Sequence, residues 1–114
     1  MSRVYLAGPM RGLPYFNFPA FFDAERKLKA LGHEVFNPAR RDIKKHGRKI
    51  TNKVGSLVMA EKKGFSLRKA LADDTAYICL KADAIHMLPG WRNSKGAKAE
   101  YALALALGLE VLKL

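Results

Sequence analysis

The chain has 114 residues, 49% hydrophobic, 27% charged and 10% aromatic, a balance that supports one compact core and lies outside the compositions that stay unfolded for want of apolar area. Twenty-one Lys and Arg stand against ten Asp and Glu, a formal net charge of +11 that favours anionic partners. The single Cys79 excludes an internal disulfide, His33, His46 and His86 lack zinc-ligand spacing, and the longest apolar run, Tyr101 to Leu109, falls far short of the roughly 20 residues of a membrane span. With no signal-peptide pattern at the N-terminus, the expectation is one cytoplasmic domain over residues 1–114, with no metal, cofactor or membrane partner.

Arg3 to Ala7 is rich in strand formers and breaks at Gly8-Pro9, which predicts a first strand ending in a loop from Gly8 to Pro14. Asn17 is placed to cap a helix with Pro19 in its first turn, and Phe21, Ala24, Leu28 and Leu31 recur at helical spacing until Gly32. His33 to Asn37 predicts a short second strand ended by Pro38, so the opening is a β-loop-α-β unit of the kind that builds parallel sheets. Ala39 to Gly64 shows no clear period and reads as a long loop with room for a short helix. Ser66 is placed to cap a helix through about Lys81, and Asp83 to Leu88 predicts a third strand. Ser94 is placed to cap a last helix to about Leu107, and Leu109 to Leu114 closes the chain as a fourth strand. The alternation predicts an α/β domain of three layers: a Rossmann-like, flavodoxin-like parallel sheet of four to five strands flanked by helices.

Ligands of such sheets bind beyond the carboxyl ends of the strands. That rule singles out the loop after the first strand and the loop from Pro89 to Gly96 after the third. In the first, Gly8 and Gly12 permit close backbone approach to a ligand and Arg11 offers a planar, permanently charged fork for phosphate. The second feeds a helix whose free N–H groups form an anion site, with Ser94 as both cap and phosphate ligand; the plainer reading is a cap alone. Glu100 precedes an uncharged Ala/Leu stretch, Tyr101 to Leu109, that is apolar all round and therefore expected to be buried. A carboxylate there is paired, exposed at one end, or used. A second carboxylate converging on it, from Asp73 or Asp74, would supply the pair that glycosidic chemistry needs.

The charge is concentrated. Between Arg40 and Lys69, eleven basic residues stand against Asp42 and Glu61, while the rest of the chain is nearly balanced. Such a run is most often a solvated face. Nucleic acid is a possible but less favoured partner, because Phe65 is the only aromatic residue in the segment and base stacking has little to use.

Taken together, Tyr5-Leu-Ala-Gly-Pro-Met-Arg-Gly12, Asn17-Phe-Pro, Gly32 to Pro38, and Ala82 to Trp91 followed by Ser94, Gly96, Ala97 and Glu100 resemble the nucleoside 2-deoxyribosyltransferase-like superfamily, in its short phage-type branch. The resemblance spans nearly the whole chain except Arg40 to Gly64. It implies cleavage of the N-glycosidic bond of a deoxynucleoside or its 5′-monophosphate. Glu100 matches the nucleophile, Asp74 best matches the aspartate that handles the departing base's proton, and Tyr5 matches the tyrosine that orients the nucleophile. Gly8, Met10, Arg11, Gly12, Ser94 and Gly96 fall in the substrate loops, and Asp83 is expected to support them. The residue six before the glutamate is acidic in relatives that use free nucleosides and serine in those that hold a 5′-phosphate. Here it is Ser94, which places hydrolysis of a nucleotide ahead of base transfer, since a carboxylate there would repel phosphate. Relatives commonly build the site at a subunit interface, so a homo-oligomer is expected.

Overall fold

A computed structural model describes residues 1–114. Four strands, β1 (Arg3–Ala7), β2 (Glu34–Phe36), β3 (Ala84–Met87) and β4 (Glu110–Val111), form one all-parallel sheet in the order β2-β1-β3-β4. Five helices surround it: α1 (Phe18–Ala30), α2 (Pro38–His46), α3 (Leu57–Lys62), α4 (Leu67–Leu80) and α5 (Lys95–Ala106). The result is the predicted three-layer, Rossmann-like α/β fold. No helix is long and apolar enough to cross a membrane.

The period of two along β1 sorts the core. Val4 and Leu6 face a cluster built from Phe16, Phe18, Phe21 and Leu28 at α1, joined by Ala39 of α2, Ile50 and Ala60 of α3. Tyr5 and Ala7 face the opposite layer, where Ile78 of α4 and Ala104 of α5 close over them together with Ile85 of β3. Because β1 is central, flanked by β2 and β3, its side chains are sealed on both faces, and Val4 to Leu6 have no exposure at all. The two loops that leave β1 and β3 at their carboxyl ends lie side by side, as expected. The Leu88 N–H donates to the Ala7 carbonyl at 2.8 Å.

Three expectations are corrected. The segment after Asn37 is helical over Pro38–His46 and Leu57–Lys62 rather than a long loop. Pro38 ends the second strand as expected and also starts a helix, because a missing N–H costs nothing in a first turn and the Asn37 side chain accepts the Ala39 N–H at 2.9 Å. Asn17 stands at the start of α1 but does not cap it with its side chain. It lies in a left-handed turn with Tyr15 and Phe16 (φ 52°, 55° and 60° for Tyr15, Phe16 and Asn17), and its amide donates instead to the Pro9 carbonyl at 3.1 Å. The last strand is two residues long, not six: only Glu110 and Val111 pair with β3.

The turn through Tyr15 is held by residues 52–55. Gly12 N–H donates to the Gly55 carbonyl and Tyr15 N–H to the Asn52 carbonyl, both at 2.8 Å. Gly55 has φ +65°, and a Cβ there would stand 2.2 Å from the Leu13 carbonyl oxygen. Gly55→Ala is therefore expected to destabilise the fold by about 2 kcal/mol or more. Gly47→Ala, also at positive φ but with nothing within 4 Å, should cost only about 1 kcal/mol. Urea unfolding of the two variants checks the difference, and equal losses would show that the contact with Leu13 is unimportant.

Candidate active site

Tyr5 points from β1 into the layer of α4 and α5. Its ring stacks on Phe36 at 5.5 Å between centroids, and Phe36 stacks on Tyr77 at 4.4 Å, which fixes its orientation. A buried phenol needs a hydrogen-bond partner. The Tyr5 hydroxyl donates to Glu100 Oε2 at 2.6 Å, the short distance of a bond to a charged acceptor. Glu100 comes from α5, and Asp74 approaches the same hydroxyl from α4, near enough for its charge to act on Tyr5. Asp74 Oδ1 is buried without a hydrogen-bond partner. Of the two aspartates, Asp74 is the one that converges on Glu100. Its neighbour Asp73 is committed elsewhere, pairing with Arg41 at 2.6 Å and Lys45 at 3.6 Å.

Glu100 and Asp74 are only 6% and 8% exposed. Burial pushes Asp74 up to about 8, with the Glu100 charge and then the Asp42 charge adding to it. Burial pushes Glu100 up to about 7, against the Tyr5 hydrogen bond, which favours its ionised form. Burial, followed by the two carboxylates, holds the Tyr5 hydroxyl well above the ordinary phenol range, so it stays a donor. Two acids of different strength around one fixed phenol suit a division of labour in which one holds a proton while the other is ionised.

The remaining sequence candidates fall in different places. Met10 and Arg11 line a cavity of about 60 Å³ with Phe16, Phe18, Asp42 and Phe65, and none of Tyr5, Asp74 and Glu100 lines it. Ser94 accepts the Ala97 N–H at 3.1 Å and caps α5, and Gly96 sits in the first turn of that helix. By helical rise Glu100 lies about 9 Å along the axis from that cap. Gly8 serves packing, since a Cβ on it would stand 2.7 Å from Leu88 Cβ. The Gly12 N–H is taken by Gly55 and does not face a ligand. Asp83 does not support the substrate loops: it lies at the amino end of β3, accepts the Arg3 N–H at 2.9 Å and pairs with the Arg3 guanidinium, at the far end of the sheet from the loops. The Ala/Leu stretch of α5 is not buried all round either, because Leu105 and Leu107 are exposed.

Asp42 was not singled out by the sequence, because it sits within a basic run and reads as a solvated acid. It is 5% exposed, and its burial pushes it up to about 7 despite Arg41 and Lys45 nearby. The signal that could have found it is the start of a helix at Asn37-Pro38, which puts Ala39, Asp42 and Ile43 on one face.

An α/β protein with a buried Tyr-carboxylate cluster and, apart from it, a loop-bordered cavity is what the fold and the site define. The chain belongs to the family described as Domain of unknown function (DUF4406), whose model matches residues 2–113. No match to a curated protein or to a solved structure was found.

The carboxyl shifts carry a sign that can be measured. A carboxyl group raised to about 8 in the fold keeps its proton where the unfolded chain has lost it. Its contribution to stability is therefore fully present below about pH 4 and is lost as pH rises through 8. Asp74→Asn removes that loss. The variant should gain on the wild type between pH 5 and pH 8.5 by on the order of 4 kcal/mol in urea unfolding, and parallel pH curves would contradict the burial of Asp74 as an acid.

Proposed function

We propose that this chain cleaves the N-glycosidic bond of deoxynucleosides or their 5′-monophosphates, by hydrolysis ahead of base transfer. The observation that carries the reading is the 2.6 Å hydrogen bond from Tyr5 to Glu100 with Asp74 beside it, which agrees with the roles implied by the resemblance to the nucleoside 2-deoxyribosyltransferase-like superfamily. Glu100, ionised, attacks the anomeric carbon. The bond from that carbon to the base nitrogen breaks with its electron pair going to the base, and the proton held by Asp74 neutralises the leaving base. Water then adds to the glycosyl ester, releasing the sugar and restoring the Glu100 carboxylate, while Asp74, now ionised, takes the proton from water. Tyr5 keeps the nucleophile in one orientation through both steps. Ser94 and the N–H groups at the start of α5, with Arg11 across the loops, suit a 5′-phosphate.

A second reading follows from the deep burial of Glu100 and Asp74 and their absence from the lining of the cavity: a nucleotide-binding module without turnover. Base release from a panel of deoxynucleosides and monophosphates separates the two. Glu100→Ala should abolish release, by 10³-fold or more on the scale of a lost nucleophile, and Ser94→Asp should cut release from monophosphates selectively. Saturable binding without any product, even with an acceptor base present, would favour the binding module.

The pH profile is a separate check. With Glu100 needed ionised (about 7) and Asp74 needed protonated (about 8), kcat/KM should be bell-shaped with a narrow maximum between these values, the two limbs belonging to the pair. A flat profile from pH 6 to 9 would contradict the assigned roles. Exposed Leu105 on α5 and Leu107 just after it also support self-association, for which a monomeric mass in sedimentation equilibrium would be the contrary result.

A further inference from the structure

The cavity lined by Met10 and Arg11 holds one group that the reaction above does not use. Asp42, on α2, lines it among Phe16, Phe18, Ile50 and Phe65, and residues Arg41, Lys45 and Lys69 line a second, basic cavity that Asp42 also borders. Asp42 is therefore the wall between an apolar recess and a basic one. Although 95% of its surface is covered, by its 5% exposure, the carboxyl takes part in none of the hydrogen bonds or ion pairs that its neighbours make. Arg41 bonds to Asp73 at 2.6 Å, and Lys45 lies 3.6 Å from the same carboxylate. Arg40, one residue before Arg41, is turned away to Glu25, which it grips through Nε at 2.9 Å.

The fold thus positions Asp42 firmly and leaves its acceptor atoms free. Arg40 ties α2 to α1 and Arg41 ties it to α4, so the residue that follows them is held at the cavity from both sides. A nearly buried carboxyl that no protein donor meets is free to accept from a ligand, and such groups mark binding sites. Aromatic walls suit a flat ring, and above a pH of about 7, where Asp42 is ionised, its carboxylate accepts from N–H donors and repels a carbonyl oxygen. The recess also reaches α4. Leu67 lines it from α4, and Leu67 and Asp74 are seven residues apart on one face of that helix, about 10 Å along its axis. The Asp42 charge is close enough to Asp74 to raise it.

We infer that Asp42 selects the base: the ring of a nucleotide enters between Phe16, Phe18 and Phe65, and an exocyclic amine of cytosine, adenine or guanine donates to the Asp42 carboxyl. This rests on the nucleotide reading given above and adds the class of base to it. At that position uracil, thymine and hypoxanthine present a carbonyl oxygen in place of the amine of cytosine or adenine, or lack the amine of guanine, so the contact is lost there and only a shift of the ring onto its N3–H or N1–H restores a donor.

The test uses the full chain, wild type and Asp42→Asn, with the monophosphates of deoxycytidine against deoxyuridine and of deoxyadenosine and deoxyguanosine against deoxyinosine. Both base release and the shift in melting temperature on binding are measured. The wild type is expected to prefer the amino-bearing member of the pair it accepts by on the order of 100-fold. Asp42→Asn, whose side-chain amide can donate to a carbonyl, is expected to lose or reverse that preference. Melting without nucleotide verifies that the variant folds, and Phe65→Ala should weaken both members of a pair alike.

Base release with no preference for the amine, or a preference that Asp42→Asn leaves unchanged, would overturn the inference while leaving the glycosidic reading intact. An amine preference seen only in binding, lost in Asp42→Asn and without release of any base, would uphold the inference and remove the glycosidic reading. Neither binding nor release from any of these nucleotides would overturn both.

Discussion

The hydrogen bond between Tyr5 and Glu100 joins the central strand to α5 across 95 residues of sequence, inside a layer that water hardly reaches. Its geometry follows from the strand: the same alternation that sends Val4 and Leu6 into the α1 layer sends Tyr5 toward α4 and α5. The aromatic stack of Tyr5, Phe36 and Tyr77 then leaves the hydroxyl one direction in which to donate. Everything proposed for the chemistry depends on this arrangement, because a carboxylate in so dry a place persists only with a fixed donor, and a second carboxylate beside it is driven to hold its proton.

The layout divides labour across the sheet. One layer, α4 and α5, carries the ionisable cluster. The other, built from α1, α2 and α3, carries most of the apolar cavity, with Arg11 and Asp42 on its lining and Leu67 reaching it from α4. The loops after β1 and β3 meet between them, close enough that Gly8 has no room for a side chain. Basic residues from Arg40 to Lys69 surround the cavity side, and part of their charge is spent internally: Arg40 on Glu25 and Arg41 on Asp73. The net charge of the segment therefore overstates what remains for an outside partner.

The sheet and the helices that cross it were legible because their signals are local. Strand formers cut by Gly8-Pro9, an amphipathic period from Phe21 to Leu28, and serines at 66 and 94 with room for a helix beyond them all name their own structure, and both serines do cap. Glu100 stood out as the one charge before an apolar stretch, and the resemblance to a superfamily supplied Asp74 and Tyr5. What stayed hidden depends on tertiary contacts. Asp42 looks like any acid in a basic run until α2 exists, and α2 was missed because a proline after a strand reads as a terminator unless the asparagine before it is recognised as a cap. Asp83 misled for the converse reason: a carboxylate at a strand boundary says nothing about which end of the sheet it serves, and only its bond to Arg3 places it away from the loops.

The central claim is that Glu100 and Asp74 are a coupled pair of acids held in a dry layer by one phenol. Carbon-13 NMR titration of the side-chain carboxyls, in the wild type and in Tyr5→Phe, tests it most directly. The account predicts two carboxyls that titrate near 7 and 8, with Glu100 moving higher still in Tyr5→Phe because the donor that favours its ionised form is gone. Titration of both groups near the ordinary carboxylate value of about 4, unchanged by the loss of the hydroxyl, would contradict it.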